Sequence, residues 1–228
     1  MIQETIVIID YGSGNLRSAQ KAFEHVIAES GLNHTVLVSS RADDVLRADR
    51  IVLPGQGAFG DCISHLRAVP DMTGALERRV LEDAVPFLGI CVGMQLLAHE
   101  GLEHGRHEGL GWIDGQVVPL ADRMPDPHLK IPHMGWNTVE LAPYSGPVSS
   151  RFVLCRTGNQ ACAPEHYYFV HSFVMECKKE SHVLATTEYG ATFPAAVGRD
   201  NILGVQFHPE KSQKAGLRVI RNFLDWKP

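Results

Sequence analysis

The stretch Pro86–Leu97, PFLGICVGMQLL, decides how this chain is read. A short apolar run, VPFLGI, passes through Gly89, Cys91 and Gly93 into GMQLLAHE, an apolar pattern that predicts a helix. A residue between two glycines, where a strand becomes a helix, occupies a tight turn whose neighbours must lack bulk. G-x-C-x-G therefore fits a nucleophile elbow with Cys91 in the serine's place. A thiol at a helix N-terminus is biased towards thiolate, and the N–H of Val92 points where an oxyanion would form. A free thiol is only a few per cent ionised at neutral pH; lowering its pKa by about 1.5 units takes roughly 2 kcal/mol, within reach of a helix terminus plus an imidazole. The competing reading is a small core residue, because free cysteine is among the most buried types.

A base must come from elsewhere. In GVQFHPEKS, His208 follows the apolar strand ILGVQF, with Glu210 two residues on, beyond the rigid Pro209. Active groups of a doubly wound sheet gather outside the carboxyl ends of its strands, where both Cys91 and His208 fall. The histidine would take the thiol proton and return it to a leaving group, while the carboxylate fixes its tautomer. Alone, H-P-E reads better as a surface histidine followed by a loop carboxylate.

Outward from these motifs, the first half alternates strands TIVIID, HTVLVS, RIVLP and VPFLGI with helices, the first from about Leu16 with Ala19, Phe23, Val26 and Ile27 on one face. A polar helix is expected near Asp43–Ala48 and a helical stretch after GQGAFGD as far as Asp83. Short, fully apolar strands separated by helices predict a parallel sheet covered on both faces. From Val117 the strands GQVVPL, HMGWNTVEL, HYYFVHSFVMEC, HVLATTEYG, FPAAVGR and NILGVQF lack long helices between them, which predicts an antiparallel extension. FPAAVG and NILGVQF form a hairpin through Arg199–Asp200. Tyr144–His166 reads as an irregular excursion. A closing amphipathic helix carries Leu217, Ile220, Phe223 and Leu224. The fold class is α/β: a doubly wound, flavodoxin-like three-layer sandwich, with residues 1–228 as a single domain.

At 228 residues with 44% hydrophobic and 21% charged, the chain can bury a full core. A net charge of −5 with dispersed Lys and Arg argues against nucleic acid. The N-terminus has no basic n-region and its apolar run is too short for a signal or a span, so a cytoplasmic protein without membrane contact is expected. Five cysteines without a C-x-x-C pair argue against a disulfide framework and a cysteine zinc site, leaving free thiols. His104 and His107 form H-x-x-H without further ligands at metal spacing, so no metal is expected. Gly12-Ser13-Gly14 lacks the third glycine of a dinucleotide turn, and no cofactor is expected. Asn15 after it caps a helix or docks. Trp136 is a half-buried core residue or an exposed interface anchor.

Taken together, GICVGMQ and FHPE resemble the class I, or triad, glutamine amidotransferases in residue type, spacing and chain order, and LPGQGAFGD (Leu53–Asp61) resembles that family's oxyanion loop. The resemblance implies glutamine as substrate, hydrolysed through a thioester, with Cys91 as nucleophile, His208 as general base and Glu210 as its orienting partner. It also implies that Gly55, Gln56 and Gly57 form an oxyanion strand beside Val92, that Gln95 touches substrate, and that His171, Ser172 and Phe173 hold it. Val92 and Gln56 stand where leucine and valine are common, at positions whose roles the backbone carries.

IDYGSGNLRS, PHMGWNTV, YYFVHSF and HPEKSQ narrow the resemblance to members that pass ammonia to a separate (β/α)8-barrel cyclase subunit in a heterodimer. In those members the residues matching Asn15, Trp136, Tyr168 and Lys211 lie towards the partner. A running glutaminase would waste glutamine, so the isolated chain is expected to be nearly inactive, with an N–H near Gly55–Gly57 misdirected until the partner binds. The rival readings are another glutaminase of the family, against which PHMGWN and HPEKSQ speak, and a catalytically silent α/β binding module.

Overall fold

A computed structural model of the chain describes residues 3–124, 128–143, 153–155 and 163–228. The buried apolar runs of β1 (Glu4–Ile9), β3 (Arg50–Gly55) and β4 (Phe87–Cys91) lie side by side and parallel, flanked by β2 (His34–Ser39). Ile6, Val7, Ile8, Ile51, Val52, Leu53, Phe87 and Leu88 are fully buried, as a sheet covered on both faces requires. The helices between these strands are α1 (Leu16–Glu29), α2 (Ala42–Val45), α3 (Phe59–Ala68), α4 (Met72–Leu76) and a π-helical continuation Glu77–Glu82; α5 (Val92–Gln95) follows β4 directly.

On the other edge, β13 (Ile202–Val205) adds to β4 in parallel and turns the sheet antiparallel through β12 (Thr192–Arg199), β11 (Val183–Glu188), β8 (His133–Leu141) and β9 (Glu165–His171). The nine strands run β2-β1-β3-β4-β13-β12-β11-β8-β9. The expected hairpin is present, pairing Arg199 with Ile202 across a turn in which Asp200 takes φ 47°. The closing helix α6 (Gln213–Asp225) packs on α1, where Phe23 meets Phe223 edge-on at 6.2 Å. Buried Arg50 donates to the carbonyls of Phe223 and Trp226 at 2.7 and 2.9 Å, satisfying acceptors at that helix's end.

Four expectations need correction. The helix over GMQLLAHE ends after Gln95. Beyond it the backbone turns into loop pairings, the N–H of His99 donating to Gly115 and that of Leu110 to Leu96, so the apolar run reflects burial on all sides rather than helical periodicity. HYYFVHSFVMEC is two strands: β9 ends at His171, and after Ser172 the chain enters β10 (Phe173–Cys177) of a second sheet, ordered β10-β7-β5-β6 with β7 (Gly115–Pro119), β5 (Glu100–Gly101) and β6 (His107–Glu108). The helix expected over Asp43–Ala48 spans only Ala42–Val45. Cys62, Cys91 and Cys177 are free thiols, but Cys155 is disulfide-bonded, a pairing set by spatial approach that cysteine spacing does not encode. Most of the Tyr144–His166 excursion, Cys162 included, lies outside the described residues. Among those residues no helix is long and apolar enough to cross a membrane.

Candidate active site

Cys91 closes β4 at φ 55°, ψ −113°, a conformation that L-residues rarely adopt, and α5 begins at Val92. The neighbouring glycines are explained by contact. Gly55 of β3 sits in register with Cys91, and a Cβ on Gly93 would lie 1.8 Å from the Leu53 carbonyl oxygen. The strained elbow is thus held against the neighbouring strand by the absence of side chains.

The stretches around Cys91 and His208, far apart in sequence, meet here because β13 lies directly beside β4. His208 and Glu210 emerge at its carboxyl end, with Nδ1 of His208 2.8 Å from Oε1 of Glu210. Both side chains are buried. Burial opposes a charged imidazole at His208, yet the Cys91 sulfur and then the Glu210 carboxylate outweigh it and raise the histidine to about 10. Its Nε2 is buried, and the Cys91 sulfur is the largest of the influences that raise the ring.

Cys91, Val92, Gln95, Gln56, Gly57, His171, Ser172, Phe173, His208 and Lys211 line one cavity of about 270 Å³. Gly55 and Asn15 border a smaller one of about 10 Å³ behind His208 and Glu210, room for about one water. Asn15 precedes α1, but its side chain makes no capping bond. Trp136 is 47% exposed, which favours the anchor reading over the core one. It meets Tyr168 edge-on at 6.2 Å, and the Lys211 ammonium lies 5.9 Å above the Tyr168 ring. These three residues form one continuous surface beside the cavity mouth.

Sequence reasoning missed several residues. Gln206, fully buried, places Nε2 3.8 Å from the Cys91 sulfur, and its Oε1 accepts from Gln95 at 3.0 Å. Gln95 also donates to the Phe173 carbonyl at 3.1 Å, so its amide braces the cleft wall. Glu103 puts a carboxylate in the cleft lining and accepts the N–H of Phe59 at 2.7 Å. Tyr11 donates to the Pro54 carbonyl at 2.8 Å, and Ser13 Oγ accepts the N–H of Gln56 at 3.2 Å, so the Gly12–Gly14 turn buttresses the Leu53–Gly57 loop. The signal for Gln206 was its place just past the carboxyl end of β13, two residues before His208, where active groups of such a sheet gather.

The chain matches the glutamine amidotransferase class-I family over residues 7–226. It is 52% identical over 224 residues to the imidazole glycerol phosphate synthase subunit HisH of Zymomonas mobilis, covering 98% of this chain and 97% of that one. It is likewise 52% identical over 223 residues to the subunit of the same name from Agrobacterium fabrum, covering 98% and 99%. Among solved structures, a glutamine amidotransferase superposes with a TM-score of 0.66 at 19% identity, covering 96% of this chain and 97% of that one. A glutamine amidotransferase from Thermotoga maritima gives 0.61 at 17% identity, covering 99% and 84%. The structural likeness establishes the shared fold.

Proposed function

The chain belongs to the class-I glutamine amidotransferase family, and on that premise we propose that residues 1–228 form one glutaminase domain, the glutaminase subunit of imidazole glycerol phosphate synthase. It hydrolyses glutamine to glutamate and ammonia. A separate (β/α)8-barrel cyclase subunit consumes the ammonia in making imidazole glycerol phosphate and aminoimidazole carboxamide ribonucleotide, a step of histidine biosynthesis.

One observation carries the chemistry: a strained cysteine elbow faces a histidine that is held by a carboxylate at 2.8 Å, across a cleft sized for a small molecule. The Cys91 sulfur and the Glu210 carboxylate raise the proton affinity of His208, which therefore holds a proton on its imidazole beside the nucleophile. The sulfur attacks the side-chain amide carbon of glutamine. The developing oxyanion is met by the N–H of Val92 and by an N–H of the Gly55–Gly57 strand; losing one such donor typically costs about 10²–10³ in rate. The C–N bond breaks as His208 donates its proton to the leaving nitrogen, releasing ammonia and leaving a thioester. Water, deprotonated by His208, then cleaves the thioester to glutamate and regenerates the thiol. Glu210 holds Nδ1 throughout and stabilises the imidazolium. The Glu103 carboxylate matches the positive α-ammonium of the substrate.

The Gln56 N–H supports an idle resting state, because it is bound to Ser13 Oγ rather than presented to the cleft. Trp136, Tyr168, Lys211 and Asn15 are assigned to the cyclase interface. Labelling with a glutamine-like electrophile tests the nucleophile. Selective modification of Cys91, lost in Cys91→Ala, is expected. Equal labelling of the free thiols would instead favour a silent binding module.

A further inference from the structure

His133 and His171 face each other as a cross-strand pair of β8 and β9, both buried, with Nδ1 of His133 2.9 Å from Nε2 of His171. The partners at either end fix where the protons are. His171 Nδ1 lies 3.0 Å from the Phe173 carbonyl oxygen, which only accepts, so this nitrogen carries the hydrogen. On a neutral ring Nε2 then accepts, and His133 must donate from Nδ1. At the far end, Asn137 donates to the Glu188 carbonyl at 2.7 Å and accepts the Thr138 N–H at 2.8 Å, which fixes its amide orientation. Its second N–H points at His133 Nε2, 3.2 Å away. Every group in the chain is satisfied with one arrangement of hydrogens. Burial, which lowers His133 to about 4 and is the largest of the causes lowering His171 to about 3, keeps both rings neutral.

The His133 ring is clamped between Phe169 and Tyr189, stacked at 4.8 and 4.2 Å between centroids. The Phe173 carbonyl at the end of the chain also accepts from Gln95. It therefore joins two walls of the cleft at the point where the chain crosses from one sheet to the other.

We propose that His133, which does not line the cleft, is a positioning residue for glutamine binding: its N–H fixes His171 in the Nδ1–H tautomer that holds the Ser172–Phe173 turn in place. This rests on the glutaminase reading above. The test combines nitrogen–proton correlation spectra of the imidazoles with steady-state kinetics of the complex with a cyclase subunit. His171 is expected as the Nδ1–H tautomer in the wild type. His133→Leu, which removes the donor, is expected to leave a tautomer mixture at His171 and to raise KM for glutamine about tenfold with kcat changed less than about twofold. His133→Asn, whose amide nitrogen overlays Nδ1, should hold KM within about threefold of wild type. An Nε2–H tautomer in the wild type, or a folded His133→Leu with unaltered KM, overturns the proposal. If His133→Leu fails to fold, the wild-type tautomer and the His133→Asn kinetics decide. A wild-type complex that releases no glutamate removes the glutaminase reading instead, and the spectra still decide the tautomer.

Discussion

Ser13 Oγ grips Gln56 twice, accepting its N–H at 3.2 Å and donating to its carbonyl oxygen. The same hydroxyl lies 3.3 Å from the Cys62 sulfur. In the proposed mechanism this grip keeps one oxyanion donor out of the cleft. Net hydrogen bonds are worth about 1 kcal/mol each, so Ser13→Ala should raise glutamate release by the isolated chain about fivefold or more. The rate of the cyclase complex should stay nearly unchanged, which shrinks the stimulation factor. Glutamate assays on both forms check it.

Gln206 touches the nucleophile without having been visible as a functional residue. Its removal by Gln206→Leu takes away a donor to the sulfur and the acceptor of Gln95. A hydrogen bond to a charged group is worth about 1.5–3 kcal/mol, so kcat/KM of the complex should fall about 10–100-fold. Cys91 labelling by a small neutral thiol reagent at fixed pH should slow in parallel if the donor stabilises the thiolate.

The buried histidine pair sets an acid limit on stability. Both rings titrate lower in the folded chain than their ordinary value near 6.5, so protons bind preferentially to the unfolded state as pH falls below that value. Their contribution is complete above about 6.5 and declines towards 4 for His133 and 3 for His171, by up to about 1.4 kcal/mol per pH unit for each. His182, lowered chiefly by burial, acts in the same direction. His208, raised to about 10, contributes no slope in this window; its contribution is present below 6.5 and fades as pH rises through about 10. Denaturant midpoints from pH 6.5 to 4.5 should therefore fall less steeply in His133→Leu than in the wild type.

Trp136 stands half out of β8 against Tyr168, the geometry of an interface anchor. Trp136→Ala should weaken binding of the cyclase subunit by about 2 kcal/mol, near thirtyfold in Kd by titration calorimetry, while electrophile labelling of Cys91 stays unchanged.

What was legible in the sequence was local. The elbow at Cys91 is written in five residues, H-P-E in three, and the parallel strands in runs apolar on both faces. What stayed hidden depends on which residues the topology brings together. Ser13 and Gln56 meet because β1 and β3 are neighbours, and His133 meets His171 only through the register of β8 on β9. Likewise HYYFVHSFVMEC reads as one strand because the change of sheet at Ser172 leaves no break in its apolar content. Leu96, Leu97 and Ala98 mimic a helix because burial from every side erases the period.

The central claim is a cysteine-based glutaminase that waits for its partner. Glutamate release from glutamine by the chain alone and with a cyclase subunit plus its nucleotide ligand, against Cys91→Ala as the blank, tests it most directly. The account predicts little release alone, strong stimulation in the complex, and none with the mutant. Release by the isolated chain equal to that of the complex, or stimulation that survives Cys91→Ala, would contradict it.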